Sequence, residues 1–129
     1  MTTVSTLYVG TPRDAETLLE RRVREAERAG AGVIRIDADE PPVATTVRLV
    51  GLTTTLPHRS SWRTHLLVAV VGADQLSGSQ QRALARIAEV GEERGVTVVA
   101  TAEAPVLALA TLLEVPARPR HLRLVKPEG

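Results

Sequence analysis

His65-Leu66-Leu67-Val68-Ala69-Val70-Val71-Gly72-Ala73-Asp74-Gln75-Leu76 is the stretch whose reading decides the fold. Leu66 to Val71 is apolar without interruption and is stopped by Gly72 and Asp74. A strand with one wet face alternates apolar and polar residues, so an unbroken run of this length points to a central strand covered on both faces, as in a parallel sheet. Downstream, Ser77 or Ser79 can cap a helix running to about Glu93, with Leu84, Ile87 and Val90 turned inward and Gly95 as its stop. Val96 to Ala100 then repeats the apolar run. Two such strands joined by a helix form a parallel crossover unit.

Outward in both directions the alternation continues. Thr6 to Val9 reads as a short strand, and a helix follows from about Arg13 to Ala29. Its apolar residues Ala15, Leu18, Leu19, Val23 and Ala26 recur at helical spacing, and Gly30 and Gly32 end it. Val33 to Asp37 is a strand closed by Asp39 and the Pro41-Pro42 pair. Thr45 to Leu52, rich in β-branched residues, reads as an additional strand, and Thr53 to Trp62, with Pro57, as loop. Beyond Ala100, Val106 to Leu113 reads as a short apolar helix ahead of Pro116 and Pro119, and His121 to Val125 as a last strand. The expected fold is α/β, a mostly parallel sheet with helices on both faces in a three-layer sandwich. Residues 1–129 contain no internal repeat, low-complexity segment or linker, so one domain is expected.

Composition narrows the function classes. Hydrophobic residues at 43% and charged residues at 24% are the balance of a globular domain, and 129 residues suffice for a real core. A net charge of +1 gives no global field toward nucleic acid or an anionic membrane. Cysteine is absent, which excludes disulfides and thiolate metal sites. The start, MTTVSTLYVGTPRD, lacks the basic and apolar parts of a signal peptide, and no apolar run approaches the roughly 20 residues of a membrane span. A cytoplasmic location without membrane contact is expected. Fifteen of the sixteen basic residues are Arg, Lys126 being the exception, so arginine content alone says nothing about phosphate. Tyr8 and Trp62 are the only aromatics, too few for a base-stacking platform.

The first strand-to-helix turn is the usual phosphate cradle of such sheets. Here it reads Gly10-Thr11-Pro12-Arg13-Asp14-Ala15-Glu16-Thr17. Against G-x-x-x-x-G-K-[ST], Gly10 and Thr17 match in register, Ala15 stands for the second glycine and Glu16 for the lysine. Two like charges about 4 Å apart cost roughly 4 kcal/mol at an effective dielectric of 20, so Glu16 opposes the phosphates that a lysine would hold. The candidate nucleotide-binding residues are Gly10, Arg13 and Thr17. A plain strand-helix turn capped by threonine or aspartate is the competing reading.

Taken in order, these segments resemble the core of AAA+ ATPases of clamp-loader type, with FtsK-like DNA translocases as a near alternative. His65 to Leu76 looks like their second ATPase motif, Gln80 to Glu89 like the following helix, and Val98 to Pro105 like the sensor strand ending in a threonine near a proline. The resemblance implies a P-loop ATPase fold whose two nucleotide motifs are eroded. Gly72 occupies the position of the magnesium-orienting aspartate and Ala73 that of the water-polarising residue, while Asp74 survives. Residues 44 to 64 depart from the pattern, and a helical lid is absent.

Three further constellations stand out. Asp37, Asp39 and Glu40 gather at a strand end and, with Asp74, are the candidate magnesium ligands, although solvated turn carboxylates look the same. His58, His65 and His121 lack metal-site spacing, and Ser60 and Ser61 lack a nucleophile setting. Arg118, Arg120, Arg123 and Lys126 form the one basic cluster, fit for nucleic-acid phosphates or an acidic partner, or for a charged edge strand that resists aggregation. The expectation is a domain with no catalytic residue and no cofactor, acting through a protein partner or self-association, the Val106 to Leu113 segment supplying apolar surface. A nucleotide binder with a rearranged phosphate site and a nucleic-acid module using the C-terminal basic strand are the alternatives.

Overall fold

A computed structural model of the protein describes residues 3–56 and 65–118. Strands β1 (Thr6–Gly10), β2 (Gly32–Asp37), β3 (Leu66–Val71), β4 (Val96–Ala102) and β5 (Leu113–Ala117) alternate with helices α1 (Pro12–Arg28), α2 (Pro42–Thr55) and α3 (Gly78–Gly91). The strands form one sheet in the order β2-β3-β4-β1-β5, every pair parallel. The α/β sandwich read from the apolar runs is the architecture observed. β3 and β4 occupy the middle, which is why Val68, Val70, Val98 and Val99 are fully buried.

The two faces are covered unequally. α1 lies on one, its Ala15, Leu19, Val23 and Ala26 against Tyr8, Leu67, Ala69 and Val99. α2 and α3 cover the other, with Leu49, Leu84 and Ile87 packed on Ile36, Val68 and Val98. Burying a Leu or Ile side chain stabilises by about 1.5–3 kcal/mol, so these contacts fix helix orientation. Beneath α1, the buried Arg22 donates to the Thr6 hydroxyl at 3.0 Å and to the Val4 carbonyl at 2.9 Å, holding the chain that enters β1. Ser77 and Gln80 form a reciprocal capping box at the start of α3.

Two segments differ from the sequence reading. Thr45 to Leu52 is not a strand but the middle of α2. Its buried residues Thr45, Leu49 and Leu52 recur at helical spacing, and the β-branched character is absorbed because Thr53 and Thr54 turn their hydroxyls back to the Leu49 and Val50 carbonyls, both at 2.8 Å. Helix also replaces loop through Thr55; residues 57–64 lie outside the described residues.

The second difference is at the chain's end. Val106 to Leu113 holds only a 3-10 turn, Leu107–Leu109, and Leu113 already opens β5. The fifth strand is therefore Leu113–Ala117, whereas the expected strand His121 to Val125 lies outside the described residues. Pro116 fits within β5 because, among the described residues, β5 is an edge of the sheet. The Leu113 amide donates to Ser5 O at 3.0 Å, so residues 113, 115 and 117 point toward β1 and Pro116 faces outward, where no donor is required.

Candidate functional site

The ends of β1, β3 and β4 and the turn between β1 and α1 meet at the carboxyl edge of the sheet, where ligands of open α/β sheets sit. β1 ends at Gly10, and α1 begins two residues later at Pro12. Arg13 to Thr17 are thus helical residues, not a loop. Thr11 is the helix cap: its Oγ1 accepts from the Asp14 amide at 3.3 Å and donates to Asp14 Oδ2 at 2.9 Å. Pro12 carries no N–H, and the Ala15 amide bonds to the Thr11 carbonyl at 2.9 Å. Of the first four helical positions, only Arg13 retains an amide for an outside anion. Gly10 is required for another reason. A Cβ there would stand 2.3 Å from the Ala117 carbonyl oxygen, so β1 and β5 approach too closely for any side chain.

Of the candidate nucleotide residues, Arg13 and Thr17 come together on α1, and Gly10 stands apart from them. Thr17 donates its hydroxyl to the Arg13 carbonyl at 2.9 Å. Arg13 and Thr17 line a shallow depression on the outer face of α1, together with Glu16, Glu20, Arg21 and Arg24.

Negative charge also converges. A cavity of about 130 Å³ at the carboxyl edge is lined by Glu16 of α1, Asp37 and Asp39 after β2, Asp74 after β3 and Glu103 after β4. None of its lining residues is basic. Asp37 Oδ1 accepts from the Asp39 amide at 2.9 Å, and Asp74 Oδ2 from the Glu103 amide at 3.3 Å, so both carboxylates shape local backbone. Asp74 Oδ1 is buried without a hydrogen-bond partner. Among the described residues, no three His, Cys, Asp or Glu side chains are placed to hold a metal ion. Gly72 takes φ 78°, a left-handed turn that glycine alone adopts readily, and its amide donates to Thr101 Oγ1 at 3.0 Å. The sensor-like threonine thereby ties the exits of β3 and β4 together.

Beside this cavity two ion pairs hold β2. Glu20 and Arg35 form a bidentate pair at 2.7 and 2.9 Å, and the hydrogen bond from Arg35 lowers the Glu20 carboxyl below its usual range and raises Arg35. Glu40 is likewise lowered, first by Arg48 at 2.7 Å and then by the Asp37 amide. At the opposite end of the sheet, Thr97 Oγ1 donates to the Thr3 carbonyl at 3.1 Å. Its one proton is thus committed, and His65 Nε2, 2.8 Å away, must be the donor to it.

Arg118 is exposed just after β5; Arg120, Arg123 and Lys126 lie outside the described residues. Within Val106 to Leu113, the side chains of Val106, Leu109 and Leu112 are buried, while Leu107 is 92% exposed. A different apolar surface was missed: Val43, Val47 and Val50 of α2 are all exposed. Their spacing of four and three residues was the available signal, hidden by the reading of this segment as a strand.

No protein-family profile and no curated protein matches the sequence. Solved structures do. The chain is similar to EccC (ATPases 2 and 3) of Thermomonospora curvata, solved in complex with a signal sequence peptide, with TM-score 0.55 and 15% identity over 78% of this chain and 25% of that one. It is similar too to a DNA polymerase III gamma subunit-related protein of Thermotoga maritima, with TM-score 0.56 and 14% identity over 95% of this chain and 44% of that one. At such identities the likeness establishes the fold, which is P-loop-ATPase-like. The chain spans a quarter of the first protein's length and less than half of the second's.

Proposed function

We propose that the chain is a non-catalytic, ATPase-like interaction or regulatory domain acting as a subunit of a larger cytoplasmic assembly, DNA-handling machinery being one such setting. The observation that carries this reading is the charge of the carboxyl-edge cavity. Where a P-loop ATPase meets a triphosphate with lysine and open amides, this chain offers Glu16, Asp37, Asp39, Asp74 and Glu103 beside a capped helix. Each like-charge pair at about 4 Å opposes binding by roughly 4 kcal/mol at an effective dielectric of 20. The acidic cavity, at about 130 Å³, is also smaller than the roughly 300–1,000 Å³ of common small-molecule pockets, whereas the open depression along α1 with Arg13 and Thr17 holds about 370 Å³. Of the magnesium candidates that share this cavity, Asp37 and Asp74 each accept a backbone amide, which favours a structural role for those two carboxylates.

Fold likeness to an ATPase module solved with a bound peptide, and to a polymerase gamma subunit-related protein, makes partner binding the natural use of such a scaffold. The exposed valines of α2 and Leu107 are the apolar surface it offers. No helix among the described residues is long and apolar enough to cross a membrane.

A thermal-shift series with ATP, GTP and magnesium tests the reading. A ligand at 100 times its dissociation constant adds about 2.7 kcal/mol, or roughly 10 °C for a domain of this size. Unchanged melting at millimolar nucleotide is the expected result. A saturable rise would replace this reading with a rearranged phosphate site centred on Arg13.

A further inference from the structure

The amino edge of the sheet, opposite the acidic cavity, holds a second and larger hollow. Its volume is about 450 Å³, inside the roughly 300–1,000 Å³ of common small-molecule pockets. It lies between the chain entering β1, the last turn of α3 and the turn that opens β5. Hydrogen bonds fix its walls. The Ser5 hydroxyl accepts from the Val98 amide at 3.0 Å, the Ser5 carbonyl from the Leu113 amide at 3.0 Å, and the Thr3 carbonyl from Thr97 Oγ1 at 3.1 Å. His65 Nε2, which donates to that threonine at 2.8 Å, is a wall group already engaged.

Two properties of the lining define what the hollow can take. One is apolar surface: Ala88, Val96 and Leu112 are buried, whereas Val4 and Leu113 on the same cavity stand 51% and 54% exposed. An apolar body covering those two would remove their surface from water, which is favourable. The other property is charge. Glu89 and Glu92 line the cavity, and among the described lining residues there is no Arg or Lys. Three residues apart, the two glutamates lie on one side of the helix end. Neither carboxylate has an ion-pair partner among the described residues. Both sit at the C-terminal end of α3, where the last carbonyls make the helix negative and the last turn has no basic residue. Carboxylates are ordinarily favoured at the opposite end of a helix, so this placement leaves a negative field that a cation offsets.

We infer that this cavity is a binding site for a small organic cation, an ammonium or guanidinium group carried on a short apolar body. The apolar part rests against Val4, Leu112 and Leu113, and the charge lies beside Glu89 and Glu92. The site shares no lining residue with the carboxyl-edge cavity and is independent of the reading proposed for that edge.

Phenethylamine, a cation at neutral pH, is the probe, with uncharged 2-phenylethanol and anionic phenylacetate as matched controls. Backbone amide resonances of the unmodified protein are followed as each compound is raised through the millimolar range. Phenethylamine should give saturable shifts at Ser5, Glu89, Glu92, Val96 and Leu113, and phenylacetate should leave those resonances in place. The alcohol should bind roughly tenfold more weakly than the amine, about threefold for each exposed ion pair it cannot form. Glu89→Gln combined with Glu92→Gln, both at exposed positions, should bring the amine down to the affinity of the alcohol. Saturable shifts confined to Asp37, Asp74 and Glu103 would put the cation in the acidic cavity instead and overturn the inference. So would equal affinity for the three compounds, unmoved resonances at the named amides, or a double variant that binds the amine as tightly as the unmodified protein. The three-compound series decides the matter even if the double variant does not fold.

Discussion

Thr11 shows how far one side chain shapes this site. By capping α1 and bonding the Asp14 carboxylate, it occupies the Asp14 amide at the helix start. Thr11→Ala should lower stability by about 1 kcal/mol in urea titration, the usual cost of losing a cap, without creating nucleotide affinity. Thr45 is the reverse case. Its hydroxyl is buried in α2 with no partner, so Thr45→Val should be neutral or stabilising by up to about 1 kcal/mol in the same assay. Glu20 carries a pH signature. Its folded carboxyl is lowered by Arg35, so the pair's contribution is present above the ordinary glutamate value and is lost as pH falls through the lowered one. Both side chains are more than a third exposed, which limits the effect to a few tenths of a kcal/mol; Arg35→Met should abolish that part of the acid dependence of melting.

Among the elements, β1, α1, β2, β3, α3 and β4 were legible because their patterns agree with their environments. The continuous runs of β3 and β4 are buried on both faces, and the 3.6-residue period of α1 matches its single packed face. α2 and β5 were not, for separate reasons. In α2, threonine and valine compete with a helical period set by only three buried residues, and tertiary packing overrides their intrinsic preference. Leu49, fully packed between α2 and the sheet, tests this: Leu49→Ala should cost about 2–5 kcal/mol, whereas the exposed Val47→Ala should change stability by under about 0.5 kcal/mol. β5 was missed because Leu113 reads as the end of an apolar helix and the last strand reads as His121 to Val125. The acidic and alanine side chains of the β1–α1 turn, Glu16 and Ala15, were readable directly. The clustering of Glu16 with Asp39, Asp74 and Glu103 was not, since it depends on which strand ends the topology brings together.

Taken as one body, the chain joins a P-loop-ATPase-like sheet to a carboxyl edge of the wrong charge for a triphosphate. On the proposed reading, fold and chemistry are separable here, as they are in many α/β scaffolds. The framework is held by the buried faces of β3 and β4 and by α1. The most direct check is to follow the backbone amide resonances of Gly10 to Thr17 while ATP and magnesium are raised to several millimolar. Resonances of Gly10, Arg13, Asp14 and Glu16 that stay in place are the predicted result. Saturable shifts at those amides would show a triphosphate seated against Glu16 and contradict the account.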